Sequence, residues 1–144
     1  MTSGPIILID DEKDDISFLT EALTELNVRN KIVAFNSAEA ALNYFETADE
    51  KPFLVICDIN MPRVSGFELR KKLHARQRFW TGTFPFVFLS TGGGNAVIND
   101  AYSMTVQGYF IKPTKLDELE EMLKSIISYW TWCKHPNVRE DALW

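Results

Sequence analysis

Asp10 and Asp11, Asp58, the Ser90-Thr91 pair and Lys112 each stand directly after a short run of apolar residues, and together they form a set suited to handling phosphate. Clustered carboxylates repel one another unless a cation sits among them, and a cage of hard oxygens with room for water suits Mg2+. A lysine ammonium and a hydroxyl stabilise the other oxygens of a phosphoryl group in flight. Asp58 is then the nucleophile, forming an aspartyl phosphate. Each residue also has a plainer reading. An Asp after a strand starts turns, and acidic residues at the start of a helix complement its dipole. The dipole account is preferred for Asp14 and Asp15. Asp10 and Asp11 lie at the end of the apolar run itself and are assigned to the site.

The elements that must position these groups are legible as alternating patterns. Phe53 to Cys57 is a five-residue apolar run, too short for a typical helix, and reads as a strand buried on both faces with Asp58 at its carboxyl end. Ile6 to Ile9, Lys31 to Phe35, Phe86 to Leu89 and Gly108 to Ile111 read as four more strands. Between them lie helical spacings: Ile16, Leu19, Leu23 and Leu26; Ala38, Ala41, Leu42 and Phe45 behind an N-cap at Ser37; Phe67, Leu69 and Leu73 on a helix whose Arg and Lys face is read as solvated. A fourth helix spans Asn95 to Ser103, and a fifth runs from a cap at Thr114 to about Cys133. Five strands alternating with five helices predict an α/β fold, one parallel sheet covered by helices on both faces. The mouth beyond the carboxyl ends of such strands is where ligands collect.

A chain of 144 residues fits one domain. Its net charge of −5 argues against a nucleic-acid backbone as partner. Cys57 and Cys133 form no CxxC pair, and with two histidines beside them they make neither a disulfide framework nor a zinc site. The first apolar run is too short for a signal peptide or membrane span, so the cytoplasm is the expected compartment. The acidic loop lacks the Gly and the later Glu of an EF-hand.

Taken in order, the pair Asp10-Asp11, the run Asp58-x-Asn-Met-Pro-x-x-x-Gly, Ser90, and Gly-Tyr-x-x-Lys-Pro at 108 to 113 resemble a response-regulator receiver domain of the CheY-like type. The resemblance covers nearly the whole chain, with residues 1–133 as the domain and 134–144 as a tail. It implies a flavodoxin-like, doubly wound sheet of order 2-1-3-4-5. It further implies that Asp58 accepts a phosphoryl group from a sensor histidine kinase or a histidine phosphotransfer protein. Asp11, Asp58 and the backbone carbonyl of Asn60 would bind Mg2+, with Asp10 helping through water. Lys112 would hold the phosphoryl group, aimed by a cis bond before Pro113. Ser90 and Tyr109 would be the switch pair. Two departures stand out. Thr91 replaces the usual small residue and would narrow access to the phosphoryl group, and Thr105-Val106 replaces Gly-Ala near the fourth helix.

Rival functions fit less well. A phosphohydrolase with an Asp nucleophile needs a general acid two residues on, where Asn60 stands. In an FMN binder the acidic cluster would repel the phosphate. A scaffold without phosphorylation leaves the acceptor residues unexplained. The eleven residues after the last helix are too few for an output domain, so the expected action is through contact with an unnamed downstream protein. On the last helix Leu116, Leu119, Leu123, Ile127 and Trp130 are expected to pack on the sheet. Met122, Ile126, Tyr129 and Cys133 form a neighbouring stripe, to be covered by a second copy, by the first helix, or by the tail with Leu143 and Trp144.

Overall fold

The apolar runs become five strands of one sheet because each is short, rich in Val, Ile and Phe, and bounded by residues that break the ladder. The computed structural model describes residues 4–76 and 84–135. In chain order the elements are β1 (Ile6–Ile9), α1 (Lys13–Glu25), β2 (Ile32–Phe35), α2 (Ala38–Thr47), β3 (Leu54–Cys57), α3 (Gly66–Arg76), β4 (Phe86–Ser90), α4 (Asn95–Ser103), β5 (Gly108–Ile111) and α5 (Leu116–Trp132). All pairings are parallel, in the order β2-β1-β3-β4-β5. The α/β architecture and the strand order are as expected from the sequence.

Alternation along the three central strands splits the core in two. Ile6, Leu8, Leu54, Ile56, Val87 and Leu89 face one side, where Leu19 and Leu23 of α1 and Leu119, Leu123 and Ile126 of α5 cover them. Ile7, Ile9, Val55, Cys57, Phe86 and Phe88 face the other, under α2, α3 and α4. Burial on both faces explains why these strands read as unbroken apolar runs. β1, β3 and β4 therefore end side by side, and whatever follows Ile9, Cys57 and Leu89 is brought to one mouth.

Three local readings need correction. Thr114 does not cap α5; Lys115 occupies that position without a side-chain bond, and Asp117 Oδ1 accepts from the Glu118 N–H at 2.9 Å. The basic face of α3 is not wholly solvated, because Arg70 is buried. Its guanidinium lies 5.5 Å above the centre of the Phe86 ring, and its Nη2 donates to Thr105 Oγ1 at 3.4 Å. The second stripe of α5 is partly core, in line with the alternative of cover by the first helix: Ile126 is buried and Met122 packs against the cluster that holds Leu19 and Leu23, leaving Tyr129 exposed beside Trp132, which is 88% exposed. The Lys112–Pro113 bond is trans, as are all peptide bonds among the described residues. Trans is the lower-energy form even before proline. The Ser37 cap stands, accepting from the Ala40 N–H at 3.1 Å. Leu143 and Trp144 lie outside the described residues.

Candidate functional site

Four strand ends, those of β1, β3, β4 and β5, and the start of α1 converge on the mouth. Asp10 follows β1 and is tied back by its own turn, Oδ1 accepting from the Glu12 N–H at 3.0 Å. Asp58 follows β3; its N–H donates to the Ile9 carbonyl at 2.8 Å, which locks the two acidic strand ends together. The loop after Asp58 turns tightly into α3, with the Gly66 N–H on the Ile59 carbonyl at 2.8 Å. A Cβ on Gly66 would collide with the Asp58 carbonyl oxygen, so the glycine eight residues after Asp58 permits this close return of the chain. Lys112 is fixed from below by its N–H on the Ser90 carbonyl at 2.7 Å.

The carboxylates of Asp10, Asp11 and Asp58 gather so that their candidate ligand atoms lie within 4.8 Å of one another. Lys112 is the cation facing them, with its side chain only 13% exposed. Its Nζ lies 2.8 Å from Asp10 Oδ2, 2.9 Å from Asp15 Oδ2 and 3.6 Å from Asp58 Oδ1. Burial pulls the lysine down, but its hydrogen bonds to Asp10 and Asp15 carry it above its ordinary value. One ammonium does not neutralise this much acid. Burial and the neighbouring Asp10 charge push Asp58 up to about 6, against the pull of Lys112. Burial likewise raises Asp10, despite its bond to Lys112. Carboxylates held together at such cost, with hard oxygens directed into a shared space, fit a divalent cation.

Asn60 is exposed in the loop that leaves Asp58. Ser90 is buried, and its hydroxyl is turned to the Gly92 carbonyl at 2.9 Å. The Tyr109 hydroxyl donates to that same carbonyl at 2.7 Å. The two residues read as a switch pair thus share one acceptor in the glycine-rich loop. A side chain at Gly93 would collide with the Tyr109 hydroxyl, so this arrangement needs a glycine there. Thr91 is exposed and lies with Lys112 and Pro113 along a groove of about 420 Å³ that opens beside the site.

Asp15 is the residue that sequence reasoning missed. The dipole reading holds in that Asp15 lies in the first turn of α1, but its carboxylate is paired with Lys112. No local signal marks it, because the partner lies 97 residues away at the end of β5.

The chain matches the family described as Response regulator receiver domain over residues 6–124. It is 26% identical over 136 residues to the probable methanogenesis regulatory protein FilR2 of Methanothrix harundinacea, covering 91% of this chain and 86% of that protein. To the chemotaxis protein CheY1 of Helicobacter pylori it is 29% identical over 122 residues, 85% of this chain and 95% of the relative. Among solved structures, the phosphorylated cyanobacterial phytochrome response regulator RcpA superposes with a TM-score of 0.82 at 26% identity, covering 94% of this chain and 99% of that one. Among the described residues, no helix is long and apolar enough to cross a membrane.

Proposed function

This chain belongs to the response regulator receiver domain family, the phosphorylation-dependent modules of two-component signalling, and from that premise we propose that Asp58 is its phosphoacceptor. The observation that carries the reading is a carboxylate only 8% exposed at the end of β3, facing Lys112 and grouped with Asp10 and Asp11. The donor is the phosphohistidine of a sensor kinase or of a histidine phosphotransfer protein. An Asp58 carboxylate oxygen forms a bond to phosphorus while the phosphorus–nitrogen bond breaks, and the imidazole leaves with the electron pair.

Asp11, Asp58 and the carbonyl of Asn60 would hold Mg2+, with Asp10 one water away. The ion, when bound, neutralises charge on the phosphoryl oxygens. Lys112 binds another of those oxygens. Ser90 gives up the Gly92 carbonyl for the phosphoryl group, and the Tyr109 ring moves toward the space it leaves. The domain assists its own phosphorylation and slow dephosphorylation but turns over no external substrate. Its output is contact with a downstream protein, and unpaired Cys57 and Cys133 suit the reducing cytoplasm.

Acetyl phosphate tests the reading directly. With Mg2+ the protein should gain one phosphoryl group by mass, and with EDTA none; uptake indifferent to EDTA contradicts it. A homodimer through α5 is part of the same proposal, resting on exposed Tyr129 and Trp132. Sedimentation with beryllofluoride should then give a dimer for wild type and a monomer for Tyr129→Glu. A wild-type monomer under every condition removes the dimer.

A further inference from the structure

Lys112 carries three N–H donors, and two carboxylates take hydrogen bonds from it. One goes to Asp10 at 2.8 Å and one to Asp15 at 2.9 Å, while the ammonium as a whole lies 3.6 Å from Asp58, at ion-pair distance. Asp15 differs from the other two acids. It stands outside the group of Asp10, Asp11 and Asp58 whose oxygens share one space, and it projects from α1 rather than from a strand end. Phe18, Leu19 and Leu89 wall the groove in which it meets Lys112, which strengthens an ion pair that is otherwise partly solvated, Asp15 being 38% exposed.

We propose that Asp15 is a positioning residue that keeps the Lys112 ammonium at the phosphoryl position during transfer to Asp58. Resting on the phosphoacceptor reading above, this inference gives α1 a part in the reaction. Asp10 is shared between Lys112 and the cation side of the cluster, and Asp58 gives up its bare carboxylate when it is phosphorylated. Asp15 alone keeps both its charge and its place through the step. Without it, a flexible four-carbon side chain swings between the remaining acids and spends less time facing the phosphorus.

The test uses Asp15→Asn, which keeps the shape and removes the charge, beside Asp14→Asn, which removes an exposed charge one residue earlier on the same helix. At saturating acetyl phosphate and Mg2+, Asp15→Asn should phosphorylate about three- to five-fold more slowly than wild type, the range of one partly exposed ion pair. Asp14→Asn should match wild type, and the donor concentration at half-maximal rate should not rise. Asp15→Glu should recover part of the rate. In a Lys112→Met background Asp15→Asn should have no further effect, because its whole action runs through the lysine. A second readout needs neither metal nor donor: the Lys112 ammonium resonance of the metal-free protein should shift or broaden in Asp15→Asn. An unchanged resonance, an equal or faster rate, or an additive effect on Lys112→Met each overturns the proposal. Failure of wild type to take up phosphate instead overturns the phosphoacceptor reading, while the resonance still decides the contact.

Discussion

Asp58→Asn is expected to take up no phosphoryl group and, in EDTA at about pH 7.5, to be more stable than wild type by about 3 kcal/mol. The first effect follows from removing the proposed nucleophile. The second follows from the cost of keeping that nucleophile charged. Burial and Asp10 raise Asp58 from 3.8 to about 6. A carboxyl raised in the folded state favours its protonated form there. Its full contribution to stability is present below its unfolded value near pH 4 and is lost as pH rises through about 6. Above that, the folded protein carries a penalty that the neutral amide removes. The amide leaves Lys112 still paired with Asp10 and Asp15. Urea denaturation at about pH 7.5 and about pH 4 should show the gain at the higher pH and almost none at the lower. A mutant less stable than wild type at neutral pH contradicts this electrostatic account, and saturating Mg2+ should stabilise wild type alone.

Lys112→Met should have the opposite sign, destabilising the metal-free protein by about 3 kcal/mol at neutral pH. Methionine keeps most of the length and packing of the stem but removes the one cation that, among the described residues, faces Asp10 and Asp58. Both carboxylates are buried, and a buried charge stripped of its partner costs far more than an exposed one. Asp15, being partly solvated, contributes the smaller share. Two pH limits follow. Lys112 is raised above its ordinary value by Asp10 and Asp15 once their bonds outweigh burial, so its stabilisation holds at neutral pH and is lost only as strongly alkaline pH deprotonates it. At the acid end it fades as Asp58 and Asp10 take up protons, so the mutant's deficit should shrink toward pH 4. Adding Asp58→Asn to Lys112→Met should restore part of the loss, because one of the stranded charges is gone. A deficit of equal size at both pH values would assign the effect to packing instead.

The strands and the strand-end residues were readable because burial on both faces writes an unbroken apolar run, and each run stops at the residue that reaches the mouth. Asp10, Asp11, Asp58 and Lys112 are legible on that principle, and the structure brings all four together. What lay hidden depends on side chains crossing between elements. Asp15 satisfies the helix-dipole reading so well that nothing in local sequence shows its carboxylate reaching Lys112, 97 residues away. Arg70 belongs by composition to a basic face, and only the packing of α3 over Phe86 shows its stem and guanidinium used as core. For Ile126 the apolar stripe leaves the cover open among a second copy, the first helix and the tail, and only the packing shows that α1 and the sheet bury it. Ser90 and Tyr109 were read as partners, but their common acceptor, the Gly92 carbonyl, is a backbone feature that no residue type announces.

Asp58, as the proposed acyl-phosphate acceptor, can be marked chemically. Borohydride reduces an aspartyl phosphate to homoserine and leaves free carboxylates and phosphate esters untouched, so it marks the acceptor without assuming it. After treatment with acetyl phosphate and Mg2+, reduction and peptide mapping should find homoserine at position 58 and at no other aspartate. Homoserine at position 10 or 11, or a label that survives as an ester on Ser90 or Thr91, would contradict the account.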